Sequence, residues 1–273
     1  NEDKGFHKAD RFRLDYISQG ILFRVVAESG GKNSRILVIT SASGIPEIVG
    51  KNYCDAFNIL GCTNIDTLFV GSRIEADLEE NLELLSNADC ILFSGGDQSK
   101  ITERFKDTEF HKILLHRYHT EKVVVAGTSA GAMCMSMEMI TGGSSKESFI
   151  KNATRIKDGL SLIPEIIIDT HFIQRGRFGR LSEAVARYYD RIGIGLAEDT
   201  GLVIKNGNYC EIIGSGMVII FDPGKLTHNN YDILKKRTPL TMVNLITHVL
   251  SAGDSFNIDK RSVSVLTNPD HML

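Results

Sequence analysis

The chain has 273 residues, of which 42% are hydrophobic, so it is long enough to bury a large core. Its net charge is only −3 and it has no basic tail or arm, which argues against a nucleic-acid-binding protein. No apolar run reaches the roughly 18 residues that a membrane-spanning helix needs. No signal peptide is visible, although the chain begins at Asn1 rather than Met, so secretion stays open.

Short apolar runs alternate with helical patterns through the first half of the chain. The runs are continuously apolar, as in RILVIT and CILFS, which is typical of parallel strands that are buried on both faces. We predict strands at 35–40, 67–70, 90–94 and 122–126, and helices at 47–60, 74–86, 99–119 and 130–139.

The second half has a less regular pattern. One helix, 178–190, carries an apolar stripe at helical spacing. We predict a single doubly wound α/β domain over 1–273, with one mostly parallel sheet, helices on both faces and some antiparallel elements. The remaining predicted elements are a strand at 162–169, a strand pair at 195–204 and 208–220, and a last helix at 240–251.

The five cysteines show no disulfide framework and no zinc-site spacing. They are scattered and odd in number, without CxxC or Cys/His pairs. Most have apolar neighbours, so we expect buried, reduced thiols, which favours a cytoplasmic protein. They are Cys54, Cys62, Cys90, Cys134 and Cys210.

Three predicted strands end in polar or glycine-rich segments, namely SGGDQ, GTSAG and DTHF. Ligands bind at the carboxyl ends of strands in open α/β sheets, so these segments are candidates for one site. In GTSAG, Ser129 fits the G-x-S-x-G elbow, where small neighbours allow a strained turn to expose a nucleophilic hydroxyl. Glycine and serine are also common in ordinary turns, so the motif depends on its strand–turn–helix context.

A serine nucleophile needs a general base and an acid that orients it. His171 follows a buried-type strand at its carboxyl end, although a packed structural imidazole is an alternative. Glu198 and its neighbour Asp199 both follow a glycine-spaced apolar strand, and Asp169 is a weaker candidate for the acid. The order Ser, His, acid differs from the Ser, acid, His order of the α/β-hydrolases.

Further side chains near these segments suit substrate binding. Gly95-Gly96 lets a backbone N–H approach a ligand as an oxyanion donor, unless it forms a plain tight turn. Gln98 is suited to a substrate amide or carboxylate. An arginine run begins four residues after His171; such runs usually lie on solvated helix faces, but arginine also binds carboxylates with two hydrogen bonds. A substrate that bears carboxylates is therefore predicted, with Arg175, Arg177 and Arg180 as its candidate ligands.

Seven segments, in this order, resemble the serine peptidase family that holds the cyanophycinases and dipeptidase E. The resemblance covers nearly the whole chain and implies a fold like that of the class I glutamine amidotransferases. An amidotransferase itself is disfavoured, because that class needs cysteine at the position of Ser129. The segments are SASGIPEIVGKNY, FSGGDQ, AGTSAGAMCMS, ITGGSSKES, IPEIIIDTHFIQRGRFGRL, GIGLAEDTGLVI and PLTMVNLITHVL.

The resemblance implies a role for each candidate residue. It makes Ser129 the nucleophile, His171 the base and Glu198 the acid, with the amides of Gly96 and Ala130 as oxyanion donors. It implies a homodimer and no metal or cofactor. The positions that it assigns to substrate binding are Gln98, Asp169, Arg175, Arg177 and Arg180.

The resemblance also implies a substrate. Cyanophycin has a poly-aspartate backbone with arginine on each side-chain carboxyl, and cyanophycinases release β-Asp-Arg dipeptides from one end. Glu147 or Asp169 is a candidate partner for the substrate guanidinium. Thr170 stands where the family usually has glutamine, which leaves open a related dipeptidase that acts on other aspartyl or isoaspartyl peptides. A catalytically inactive peptide-binding protein is disfavoured by the intact triad.

One strand of the family pattern ends in glycines just before an E-D-K stretch, which corresponds to Glu2-Asp3-Lys4. We therefore expect that this first strand is missing before Asn1. The matching position in the sheet would then be empty or filled in another way.

Overall fold

The computed structural model describes residues 20–143 and 147–267. Helices and strands alternate up to residue 133, and strands dominate thereafter. The helices are α1 (Ile21–Glu28), α2 (Pro46–Ile59), α3 (Arg73–Ala76), α4 (Glu79–Asn87), α5 (Gln98–Phe105), α6 (Glu109–Thr120), α7 (Ala130–Met133) and α8 (Phe178–Arg187).

The strands fall into a first group that precedes α7 and a second group that follows it. The first group is β1 (Ile36–Ile39), β2 (Ile65–Leu68), β3 (Cys90–Phe93) and β4 (Val124–Gly127). The second group is β5 (Glu138–Gly142), β6 (Arg155–Asp158), β7 (Ile166–Asp169), β8 (Ile192–Leu196), β9 (Thr200–Lys205), β10 (Tyr209–Gly214), β11 (Met217–Asp222), β12 (His228–Asn229), β13 (Met242–Val243), β14 (Ile246–Ser251), β15 (Ser255–Asn257) and β16 (Ser262–Ser264).

The first four strands form a parallel sheet in the order β2-β1-β3-β4. Alternate residues of its central strands belong to different core clusters. Val38 packs in one cluster with Phe57 of α2, and Leu37 packs in the other with Phe105 of α5. Helices therefore cover both faces of the sheet, which explains why its central strands β1 and β3 are continuously apolar.

The later strands form two further four-stranded sheets. One has the order β14-β11-β8-β7, in which only β7 and β8 are parallel, and the other has the antiparallel order β16-β15-β10-β9. Two short antiparallel pairs, β5-β6 and β12-β13, complete the described strands. The predicted α/β class is confirmed, with the difference that these strands form separate sheets rather than one.

Two long predicted helices are each divided in two. The helix predicted at 74–86 is interrupted between α3 and α4, and the one at 99–119 between α5 and α6. At the second break Asp107 has a φ of 61°, and Thr108 then caps α6 by accepting a hydrogen bond from the N–H of His111. Capping side chains favour a fresh helix start over a continuous helix.

The helix predicted at 130–139 is wrong beyond Met133. The chain turns there, and the hydroxyl of Ser136 accepts a hydrogen bond from the N–H of Ile168 at 3.0 Å. Met139 and Ile140 then lie buried in β5. A serine that bonds to a neighbouring strand competes with the helical hydrogen-bond ladder.

The helix predicted at 240–251 is also wrong. Residues 246–251 form β14, which pairs antiparallel with β11, and Asn244 precedes it with a φ of 63°. The segment ITHVLS alternates between half-buried or buried and exposed positions, which is a strand period rather than a helical one.

An apolar cavity lies beside β4, at the edge of the parallel sheet. Its volume is about 250 Å³, and its lining includes Val125, Leu196 and Leu202. The first strand expected before Asn1, and the Ser144–Lys146 part of the ITGGSSKES segment, lie outside the described residues. The five cysteines are unpaired thiols, and four of them are buried.

Candidate active site

Ser129 lies in a sharp turn between β4 and α7. Its φ of 52° is in the left-handed region, which costs a non-glycine residue about 1–3 kcal/mol. The flanking glycines make this turn sterically feasible. A methyl group on Gly127 would overlap the carbonyl of Gly131, and one on Gly131 would overlap the carbonyl of Phe93. The G-x-S-x-G spacing therefore has a steric basis in this chain.

The imidazole of His171 lies directly against the serine. His171 Nε2 is 2.9 Å from Ser129 Oγ, and His171 lies two residues after the end of β7, with a φ of 48°. The next residue, Phe172, is fully buried, and its N–H donates to the carbonyl of Leu196 at 3.0 Å. Its ring occupies the space left by the missing side chain of Gly195. These contacts fix the backbone that carries the imidazole.

The carboxylate of Glu198 completes the chain of contacts. Glu198 Oε1 is 2.9 Å from His171 Nδ1, in the turn after β8. The N–H of Glu198 donates to Gln174 Oε1 at 3.3 Å, and the following residue, Asp199, has a φ of 51°. Of the two neighbouring acids, it is Glu198 that contacts the imidazole.

These three side chains can relay a proton. The hydroxyl of Ser129 can pass its proton to His171 Nε2 when it attacks a carbonyl, and a carboxylate at Nδ1 stabilises the imidazolium that results. The Glu198 side chain is 48% exposed, so its electrostatic effect is weaker than that of a fully buried acid.

Two backbone N–H groups, one in the SGGDQ segment and one directly after the serine, are available to a ligand. Gly96 has a φ of 142°, and a side chain there would overlap the carbonyl of Ala42. Ala130 is the first residue of α7, directly after the serine. Within 20–143 and 147–267, neither the N–H of Gly96 nor that of Ala130 is used by another group. Their role as oxyanion donors stays a prediction.

The three arginines have different environments. Asp169 is completely buried, and Arg180 donates to both of its oxygens, with an Nε–Oδ2 distance of 2.6 Å. Arg177 donates to the same carboxylate at 3.1 Å and to the carbonyl of Thr170 at 2.6 Å. Burial lowers the pKa of Arg177, and the charge of Asp169 opposes this shift. Arg175 is exposed.

The remaining predicted site residues also have partners. The Gln98 amide donates to the carbonyl of Ile140 at 2.7 Å, which leaves its own oxygen available. The hydroxyl of Thr170 is buried against the sulfur of Met133 at 3.5 Å. Glu147 is partly exposed and accepts two hydrogen bonds from Arg237. The substrate contacts of these residues stay predictions.

Two residues at the site were missed by the sequence analysis. Gln174 accepts the hydrogen bond from Glu198, and the hydroxyl of Tyr53 donates to Thr128 at 2.8 Å. Both lie in segments that resemble the peptidase family, HFIQRG and GKNY, but neither residue type marks a catalytic site by itself. Their positions depend on tertiary contacts that no spacing rule supplies.

The part of the chain that the structure describes has neither a membrane-spanning helix nor a metal-binding cluster. No helix there is long and apolar enough to cross a membrane. No group of three or more histidine, cysteine or acidic side chains there is arranged to hold a metal ion.

Comparisons with known proteins identify the family of the chain. Residues 19–212 match the model of peptidase family S51. A cyanophycinase of Trichormus variabilis is 37% identical over 89% of this chain and 82% of its own length, and one of Synechococcus elongatus is 35% identical over 89% and 76%. The crystal structure of a peptidase from an acI-B1 actinobacterium shares the fold, with a TM-score of 0.61 and 22% identity over 86% of this chain and 88% of its own. The chain therefore belongs to peptidase family S51.

Proposed function

We propose that this protein is a serine exopeptidase that hydrolyses β-aspartyl peptide bonds of cyanophycin and releases β-Asp-Arg dipeptides. The observation that carries this proposal is the chain of hydrogen bonds from Ser129 through His171 to Glu198, in a member of a peptidase family. The proposed substrate is inferred from the relatives named cyanophycinase, which are 35–37% identical over most of the chain.

In the first half of the reaction, Ser129 Oγ attacks the carbonyl carbon of the scissile bond. His171 Nε2 takes the hydroxyl proton, while Glu198 keeps the imidazole oriented through Nδ1–H. The N–H groups of Gly96 and Ala130 stabilise the oxyanion. The C–N bond then breaks, and His171 returns the proton to the amine that leaves.

In the second half, water hydrolyses the acyl-enzyme. His171 removes a proton from the attacking water, and the ester bond to Ser129 Oγ breaks as the same proton returns to the serine. Over the cycle one peptide bond and one water molecule give a carboxylic acid and an amine, and the acid then passes its proton to the amine, which leaves a carboxylate and an ammonium group. These steps require no metal or cofactor.

Substrate recognition depends on the arginine run and on exposed acids. Arg180 and Nη1 of Arg177 are engaged with Asp169 and Thr170, whereas Arg175 is exposed, so the guanidinium of Arg175 is the better candidate for a free aspartyl carboxylate. Asp169 is occupied and fully buried, so Glu147 is the better of the two candidates for the substrate guanidinium. Substrate would have to displace Arg237 from Glu147.

The test is digestion of purified cyanophycin, with the soluble products identified by mass spectrometry. The proposal predicts β-Asp-Arg as the main product. The same enzyme is then assayed on α-linked Asp-Arg and on β-Asp-Arg extended by one further residue. Intact cyanophycin together with rapid cleavage of α-linked dipeptides would contradict the proposal.

A second candidate function is a dipeptidase with a shifted preference for short aspartyl or isoaspartyl peptides. The observation that favours it is the buried hydroxyl of Thr170, which contacts Met133 and supplies no amide where the family usually has glutamine. Under this alternative, Thr170→Gln should raise kcat/KM for cyanophycin relative to short peptides. An unchanged ratio in this variant would count against it.

A further inference from the structure

A tyrosine from the neighbouring helix contacts the turn that carries the nucleophile. The hydroxyl of Tyr53, on α2, donates a hydrogen bond to Thr128 Oγ1 at 2.8 Å. Thr128 directly precedes Ser129 and lies outside both β4 and α7. The contact joins residues 75 positions apart, so it links two separate parts of the fold at the site.

The turn needs such support because its backbone is strained. A non-glycine residue in the left-handed region persists only where surrounding contacts hold it there. The backbone of Thr128 has two of these contacts: its N–H donates to Phe93 at 3.0 Å, and its carbonyl accepts from Gly131 at 2.9 Å. Both connect the turn to β3 and α7. The Tyr53 bond is the contact that connects it to α2.

Tyr53 is itself well anchored. Its ring stacks on Phe57, with 6.4 Å between ring centroids and 28° between planes, and Phe57 is completely buried. Burial also raises the pKa of Tyr53, so the hydroxyl keeps its proton at neutral and mildly alkaline pH. A fixed ring with a protonated hydroxyl is a rigid donor, and rigid support is what a reactive side chain requires for its geometry.

We propose that Tyr53 is a positioning residue that holds Thr128, and through it fixes the orientation of the Ser129 hydroxyl toward His171. It acts through the turn rather than on the substrate. The inference rests on the proposed function only in taking Ser129 as the nucleophile, and it holds for any acyl substrate.

The first measurement is kinetic. Tyr53→Phe keeps the ring and its stacking but removes the hydroxyl, so kcat should fall about three- to tenfold, the rate equivalent of one neutral hydrogen bond, with KM unchanged. Thr128→Val should show the same loss, and the double variant should lose no more than either single variant. Thr128→Ser, which keeps a hydroxyl, should retain more activity than Thr128→Val. Tyr189→Phe, at a site that is 61% exposed, is the matched control.

The second measurement is the rate at which an alkyl fluorophosphonate labels Ser129, followed by intact-protein mass spectrometry. This probe needs no peptide substrate, so it tests Tyr53 even if cyanophycin is not cleaved. The labelling rate of Tyr53→Phe should fall by the same factor as kcat, while the midpoint of the pH profile stays constant. The assay temperature must lie below the unfolding transition of each variant, so that a loss of stability does not enter the rates.

Three results would overturn the inference. An unchanged kcat and labelling rate in Tyr53→Phe would show that the hydroxyl does not orient the serine. A raised KM with unchanged kcat would make Tyr53 a substrate contact instead. Fully additive losses in Tyr53→Phe and Thr128→Val would show that the two residues act separately. A wild-type protein that is not labelled at Ser129 would overturn the proposed nucleophile as well, which distinguishes that failure from the other three.

Discussion

Arg180 and Asp169 form a buried, two-pronged ion pair, and Asp169 lies two residues before His171 in the chain. The pair joins the end of β7 to the first turn of α8. Arg180, which the sequence predicts as a ligand of a substrate carboxylate, thus binds the carboxylate of Asp169 in its own chain. This internal pair supports the backbone that presents His171.

Removing one partner of this pair should destabilise the protein strongly. Asp169→Asn leaves the buried guanidinium of Arg180 without an opposing charge, which typically costs about 3–5 kcal/mol. Arg180→Met should cost less, because Asp169 keeps its hydrogen bond from Arg177. Urea unfolding followed by circular dichroism measures the change in the free energy of unfolding. The matched control is Arg175→Met, which removes an exposed guanidinium and should leave the unfolding midpoint within error. Equal stability of all three variants would show that the pair contributes little.

Arg175→Met should instead affect substrate binding. Loss of a guanidinium that binds a carboxylate should raise KM about tenfold and leave kcat nearly unchanged, since the contact is made equally in the ground state and the transition state. Initial-rate kinetics on β-Asp-Arg oligomers that differ in the number of free carboxylates measure this. A uniform loss of kcat across these substrates would contradict a binding role.

Much of the site could be predicted from strand ends. The segments SGGDQ, GTSAG and DTHF are predicted to meet because each follows an apolar strand, and Ser129 Oγ lies 2.9 Å from His171 Nε2 in the structure. The spacing of the glycines also predicts the turn, since side chains at Gly127 and Gly131 would overlap backbone atoms around Ser129. Local patterns of this kind depend on sterics within a few residues, which a sequence displays directly.

The failures have a different physical origin. The helix predicted at 240–251 is wrong because residues 246–251 pair with β11 as a strand. No local sequence pattern reveals that this pairing partner exists. Similarly, the sequence does not show that Arg180 binds a carboxylate of its own chain rather than one of the substrate. Its partner, the buried Asp169, is 11 residues away in the chain. Pairing between distant residues overrides local propensity at such places.

The carboxylate of Glu198 should matter to catalysis through orientation of the imidazole. Glu198→Gln should lower kcat by about 10²- to 10³-fold, less than the roughly 10⁴-fold seen where a fully buried acid is replaced, because this side chain is half-exposed. Steady-state kinetics measure the loss. The control is Asp199→Asn, which neutralises the neighbouring acid. A larger loss in Asp199→Asn than in Glu198→Gln would reverse the assignment of the acid.

Acid stability should depend on an ion pair between α1 and β10. Arg24 donates to both oxygens of Glu211, and this contact lowers the pKa of Glu211 from its ordinary value of 4.5. A lowered carboxyl pKa contributes stability that is fully present above pH 4.5 and is lost as pH falls through the lower, folded value.

Replacement of this arginine tests that dependence. Arg24→Met should cost about 1 kcal/mol of unfolding free energy near pH 7, because the pair is only about one quarter exposed. The difference from wild type should shrink as the pH falls below 4.5. Thermal unfolding from pH 3 to pH 8 measures it, with Lys51→Met, which removes a highly exposed ion pair, as control. A difference that grows toward acid pH would have the wrong sign for this account.

The most direct test of the central claim compares wild type, Ser129→Ala and Ser86→Ala on purified cyanophycin, with soluble products measured by mass spectrometry. Ser86 is an exposed serine on α4, so its variant controls for replacement of a hydroxyl. The account predicts β-Asp-Arg release by wild type and Ser86→Ala, and at least a 10³-fold lower rate for a correctly folded Ser129→Ala protein. Release by Ser129→Ala at the wild-type rate would contradict the assignment of Ser129 as the nucleophile.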